Sequence, residues 1–282
     1  MTLSTNIERT GKRDSPSFET FLAELALRRP ELGAVRNVLY QYCDQCQPRI
    51  RGVRLFLTSE YTTDTAIFRK ALTGGRAFTY VEHIDPYTWE VTAHDLGENS
   101  EVLPTSRRST SARDFIAWKA EHMRFLGHTC SLPANLVDEN KLSGHVGDTS
   151  TRALLSTLAR CVQDASPIGG MTENCPVRDL DLDTVLVNRR TGSITAVIEE
   201  TSTDRVPKDA PSRMRVLNGK VSAMSEMLAQ HTGATFIKIA GFAPTGTVSN
   251  DALSEVRSPN ESLSKRYTSY GDLLNWCVSS LD

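Results

Sequence analysis

The chain has 282 residues, of which 39% are hydrophobic and 23% charged, with a formal net charge of −2; that length suits one large domain or two ordinary ones. No apolar run approaches the ~20 residues needed to span a bilayer, and the N-terminal MTLSTNIERTGKRDSPS lacks the apolar core of a signal peptide, so a cytoplasmic protein without a membrane partner is expected. Near-neutral charge excludes a global basic footprint, which leaves nucleic-acid contact to local patches.

In chain order, residues 1–15 read as a polar arm carrying Arg9, Lys12 and Arg13. From Ser17, the apolar positions Phe18, Phe21, Leu22, Leu25 and Leu27 predict an amphipathic helix that Pro30 ends. Val35, Val38, Leu39 and Tyr42 then predict a second helix from about Glu31, with the CxxC of Cys43 and Cys46 at its end. That pair, with His128 and Cys130, is half a zinc pattern, and structural cysteines are the preferred reading. GVRLFLTSE reads as a strand, TDTAIFRKAL as a helix, and RAFTYVEHI and TWEVTAHDL as strands, with His83, Asp85 and His94 read as ordinary surface groups. The polar stretch 97–112, holding Arg107 and Arg108, reads as a linker.

Helices are expected over 114–127 and 149–164, then a hairpin, a helix beginning near Asp209-Ala210-Pro211 with Gly233 as its stop, and the strand ATFIKIAGF with Lys238 in its apolar run. Residues 244–268 read as a polar excursion and YGDLLNWCVSSL as a closing helix. The division is therefore an arm (1–15), an N-terminal α+β region (16–96), a linker (97–112) and a second domain (113–282).

The most informative run is Asp179–Ser202, RDLDLDTVLVNRRTGSITAVIEETS once Arg178 is included. Leu182–Val187 and Ile194–Ile198 flank Arg189-Arg190-Thr191-Gly192, as in a β-hairpin. A three-residue loop with Gly192 left-handed would oppose Arg189 to Ser193. Counting outward pairs Val187 with Thr195, Val185 with Val197 and Asp183 with Glu199, and puts Asp181 and Thr201 on the same face. Opposed like charges are unfavourable at that spacing; a divalent cation held by both acids would offset the cost, and hard carboxylate oxygens suit Mg²⁺.

The order helix, hairpin, helix, strand, with acids on the hairpin, resembles the restriction-endonuclease-like nucleases of the PD-(D/E)XK signature. The resemblance covers roughly residues 149–242. It implies an α/β protein whose C-terminal part is a restriction-endonuclease-like core, a mixed central sheet flanked by helices, beside the N-terminal α+β region. It also implies a nuclease that uses Mg²⁺ or Mn²⁺ on nucleic acid, DNA being favoured, with a homodimer or larger complex compatible. By the resemblance, Asp183 and Glu199 hold the metal, with Asp181 or Glu200 as auxiliary acids. Thr201 stands where the family pattern has its lysine, and Lys238 or Lys220 is the substitute. Arg205, Arg213 and Arg215 are the candidate phosphate contacts. The competing expectation is a catalytically inactive nuclease fold that binds nucleic acid or a protein partner.

Overall fold

The computed structural model describes residues 18–43, 53–58, 61–72, 77–85, 87–88, 90–96, 102–111, 114–115, 177–202, 211–212, 215, 223–241, 253–260, 264–267 and 269–281. These form ten strands and four helices: α1 (Phe18–Arg28), β1 (Leu32–Cys43), β2 (Val53–Thr58), α2 (Thr63–Ala71), β3 (Ala77–Ile84), β4 (Glu90–Leu96), β5 (Val102–Ser111), β6 (Val177–Asn188), β7 (Ser193–Ser202), α3 (Ala223–Thr232), β8 (Thr235–Gly241), β9 (Leu253–Arg257), β10 (Lys265–Tyr267) and α4 (Tyr270–Ser280). The chain is mixed α/β, as expected. No helix among the described residues is long and apolar enough to cross a membrane.

The strands make one sheet in the order β10-β9-β8-β7-β6-β1-β2-β3-β4-β5. Only β2 with β3 and β7 with β8 run parallel; each pair is joined across a stretch that contains a helix or a longer connection, as parallel strands require. Period-two alternation divides the apolar residues between the faces. Val197 and Phe236 pack with Phe68 of α2 and Leu228 and Ala229 of α3. Ala196, Ile198, Ile237 and Ile239 pack with Phe18, Phe21 and Leu25 of α1 and Leu273, Leu274 and Cys277 of α4. The sheet is thus sandwiched between two helix layers.

The helix expected from Glu31 is instead β1. Its segment pairs with β6 from Leu32↔Asn188 to Cys43↔Val177 and also with β2, and these two ladders override local propensity. The misleading spacing has a physical source. Val35 and Val38, three apart, belong to the same core cluster, and so do their partners Val185 and Leu182. Strict alternation breaks between them in both strands, and the break imitates a helical repeat.

Within the stretch read as a linker, residues 102–111 form β5, paired with β4. β5 is the last strand of the described sheet on that side, and Ser109 and Ser111 near its end are exposed. Within the expected polar excursion, β9 and β10 extend the sheet past β8. Strands from the regions 16–96 and 113–282 share one sheet, since β1 lies between β2 and β6. The expected arm, Cys46, His128, Cys130 and the helix over 149–164 lie outside the described residues, as does nearly all of the helix over 114–127.

Candidate functional site

Gly192 adopts φ 72°, the left-handed conformation the hairpin reading requires, and open to glycine without a Cβ penalty. The loop is one residue longer than expected: Asn188 opposes Ser193, and the Gly192 N–H donates to the Asn188 carbonyl at 2.8 Å. The Asn188 side-chain oxygen accepts from the N–H groups of Arg190 (2.9 Å) and Thr191 (3.2 Å), which closes the turn. An irregularity between Leu186 and Val187 compensates. Val187 therefore opposes Ile194 rather than Thr195, while Val185 opposes Val197 as predicted.

The ladder continues to Thr184↔Ile198. One step further, the recorded contact is from the Glu200 N–H to Asp183 Oδ2, at 2.6 Å. A charge-assisted bond of that kind fixes the carboxylate against β7 beside Glu199. Alternation places Glu199 on the α2/α3 face, with Val197, and Glu200 on the α1/α4 face, with Ile198.

The parallel partner β8 brings Lys238 into register with Glu199, and β9 brings Glu255 into register with Lys238 on its other side. Arg266 of β10 opposes Glu255 in turn. The result is a row of alternating charge across four strands, Glu199, Lys238, Glu255 and Arg266, spanning on the order of 14 Å at about 4.8 Å per strand. Lys238 is 2% exposed and Glu255 5%. Burial lowers the Lys238 ammonium below the ordinary lysine value; Glu199 and Glu255 pull it back up, and the Arg257 charge adds to the lowering.

Arg257 closes the site toward α3. Its Nε lies 3.2 Å from Glu255 Oε1, its Nη1 2.5 Å from Glu226 Oε1 of α3, and its guanidinium 6.0 Å from the Phe236 ring centroid. Arg266 Nη2 lies 3.8 Å from Glu255 Oε2. Glu199 lies in the carboxyl-terminal half of β7 and Lys238 at the middle of β8.

Comparison with protein-family models, characterised proteins and solved structures finds no match. The site is therefore read from its own chemistry.

Among the sequence-predicted residues, Lys238 stands in register with Glu199 and Asp183 accepts from the Glu200 N–H, whereas the Glu200 side chain is directed to the other face. Asp181 lies on β6 with its side chain outside the described set, and Lys220, Arg205 and Arg213 lie outside the described residues. Arg215 is exposed, its Nη2 3.4 Å from Ser212 Oγ. No group of three or more His, Cys, Asp or Glu able to hold a metal occurs among the described residues. Asp85 has a turn role: its Oδ1 accepts from the Tyr87 and Thr88 N–H groups, both at 2.8 Å, which lowers its pKa. His94 Nε2 meets Glu82 Oε2 at 2.7 Å. Glu255 and Glu226 were not singled out in the sequence, and Arg257 was read only as a basic residue of the polar excursion. The one signal pointing to them was Lys238 itself, since a lysine in an apolar strand requires nearby carboxylates.

Proposed function

We propose that the chain is a divalent-cation-dependent nuclease with a restriction-endonuclease-like core, hydrolysing phosphodiester bonds in nucleic acid, with DNA the favoured polymer. The observation that carries this reading is the placement of Lys238, buried and in register with Glu199 on the neighbouring parallel strand, close to where Asp183 meets β7. The order β6, β7, α3, β8 supports it, because it matches the hairpin, helix and strand of the resemblance; the helix expected before them, over 149–164, lies outside the described residues.

Asp183 and Glu199 suit a hard cation. Mg²⁺ is commonly held through one or two carboxylates, with waters and substrate phosphate completing the shell, so a two-acid set is adequate. Mg²⁺ or Mn²⁺ held there would supply Lewis-acid stabilisation of charge on phosphate and a more acidic water. A charged lysine has three donors and no acceptor. Lys238 therefore orients a water or a non-bridging oxygen and offsets developing negative charge, and it does not take a proton. The Glu200 N–H keeps Asp183 oriented. Arg205, Arg213 and Arg215 are assigned to the phosphate backbone and Lys220 to an auxiliary place near the acids.

The test is incubation of single- and double-stranded DNA and RNA with the full chain in Mg²⁺, Mn²⁺ or EDTA, beside Asp183→Ala, Glu199→Ala and Lys238→Ala. The expected result is cation-dependent cleavage abolished by either acid substitution and reduced by about 10²-fold or more in Lys238→Ala. A second reading, a nuclease fold that binds nucleic acid or a protein partner without cutting, is favoured by one observation: Lys238 is answered by carboxylates on both sides, as a structural ion row would be. Tight binding by the wild type without cleavage in any cation would select it.

A further inference from the structure

A row of buried charge is weak evidence for stability, because well-packed apolar side chains of similar volume serve as well or better. The neighbouring positions show that apolar choice: two residues earlier on the same face, β7 and β8 carry Val197 and Phe236. On these two strands the charge of this face appears at the next level, that of Glu199 and Lys238, while on β9 Arg257 stands at the Phe236 level. At its own level Lys238 has two carboxylates beside it, yet the proposed chemistry commits only Glu199 to a cation. A cation on Glu199 would repel the Lys238 ammonium and leave it drawn to the opposite side. Glu255 occupies that side, in register with Lys238 on β9 and only 5% exposed.

Glu255 is itself fixed from two directions. Arg257 Nε meets Oε1 at 3.2 Å and Arg266 Nη2 approaches Oε2 at 3.8 Å, and Arg257 is anchored on Glu226 of α3. A carboxylate restrained by two guanidinium groups has little freedom to move, so a lysine drawn to it is restrained in turn. Charge pairs restrained in this way set geometry, and in an active site geometry is worth rate: a displacement of about 1 Å costs on the order of 10²-fold.

We infer that Glu255 is a positioning residue, which, clamped by Arg257 and Arg266, holds the Lys238 ammonium in place beside Glu199. The inference rests on the nuclease reading for its consequence in rate, but not for its geometry. The experiment is NMR of the lysine ε-methylene groups in isotopically labelled full-length protein without metal, with Lys238→Met identifying the Lys238 signal, applied to wild type, Glu255→Gln, Glu255→Asp and Glu199→Ala. Expected is a Lys238 signal displaced from the pool of exposed lysines in wild type and Glu199→Ala, collapsed toward that pool in Glu255→Gln, and partly restored in Glu255→Asp. Alongside, Glu255→Gln lowers kcat by about 10²-fold at unchanged KM, with partial rescue by Asp.

A displaced Lys238 signal in folded Glu255→Gln overturns the inference, as does collapse in Glu199→Ala alone. Should Glu255→Gln not fold, an undisturbed Lys238 signal in Arg257→Gln, which removes the clamp, overturns it instead. Absence of cleavage by the wild type would sink the nuclease reading, while the NMR comparison still decides the role of Glu255.

Discussion

Gly33→Ala is the sharpest perturbation among the described glycines. Gly33 lies in β1 under the first turn of α2, and a Cβ there would fall inside the contact radius of Asp64 Cγ and both carboxylate oxygens, closer than 3.0 Å. That carboxylate cannot simply yield. It grips Arg189 of the hairpin loop in a bidentate pair, Nε to Oδ1 and Nη2 to Oδ2, both 2.7 Å, and the Asp64 side chain is only 11% exposed. Accommodating the methyl costs about 1–3 kcal/mol of overpacking. Loosening hydrogen bonds to charged groups costs about 1.5–3 kcal/mol, a figure reduced here because Arg189 is 46% exposed and can regain water. Gly33→Ala alone is expected to destabilise by about 2–4 kcal/mol. In an Asp64→Ala background the obstruction is gone, and replacing a strand glycine gains about 0.5–1 kcal/mol, so the same substitution becomes neutral or stabilising. The check is urea denaturation of the four proteins of the cycle. Additivity within about 0.5 kcal/mol would refute the reasoning.

Other outcomes follow from the same geometry. Asn188→Ala removes the acceptor of two loop N–H groups and should cost about 1–2 kcal/mol by denaturant titration, whereas Gly192→Asn, at φ 72°, should cost less than Gly192→Val. Burial pushes the Cys277 thiol up to about 12, from an ordinary 9.0. The folded chain keeps a proton that the unfolded chain releases, so this contribution to stability is intact below pH 9 and is lost as pH rises toward 12. Its slope is about 1.4 kcal/mol per pH unit, and Cys277→Ala should flatten the alkaline decline of stability by that amount. Transferring the lysine, Lys238→Thr with Thr201→Lys, should recover part of the cleavage that Lys238→Thr loses; a folded double variant no faster than the single one would count against the proposed equivalence of the two positions.

The hairpin was legible in the sequence because two local signals agree there, a left-handed glycine and period-two alternation of Val, Leu and Ile. Lys238 was legible as an anomaly, since alternation alone put it on the Phe236 face. β1 was not, because the break between Val35 and Val38 carries a helical spacing, and what makes the segment a strand is pairing with β6, some 150 residues away along the chain by order of magnitude. β5, β9 and β10 were hidden for a related reason. TSRRSTS, LSEVR and KRY are polar in sequence, and what makes them strands is pairing with β4, β8 and β9, which is a property of the whole topology. Glu255 needed more still: its meaning depends on two successive registers, Glu199↔Lys238 and Lys238↔Glu255.

In the proposed nuclease reading, a lysine on the next strand serves where Thr201 stands in the pattern of the resembled family. Two positions along β7 separate Glu199 from a same-face residue by about 6.6–6.8 Å, whereas an in-register residue on the adjacent strand stands about 4.8 Å away. Both places deliver a side chain to the same face, within the span of a lysine. The lateral place has one further consequence. A lysine on β7 would be followed by the strand's end at Ser202, whereas Lys238 has β9 beyond it and so gains Glu255 as a second neighbour. Moving the cation sideways thus brings it into a charge row anchored by Arg257 on α3, and it ties the ammonium to the helix that connects β7 to β8.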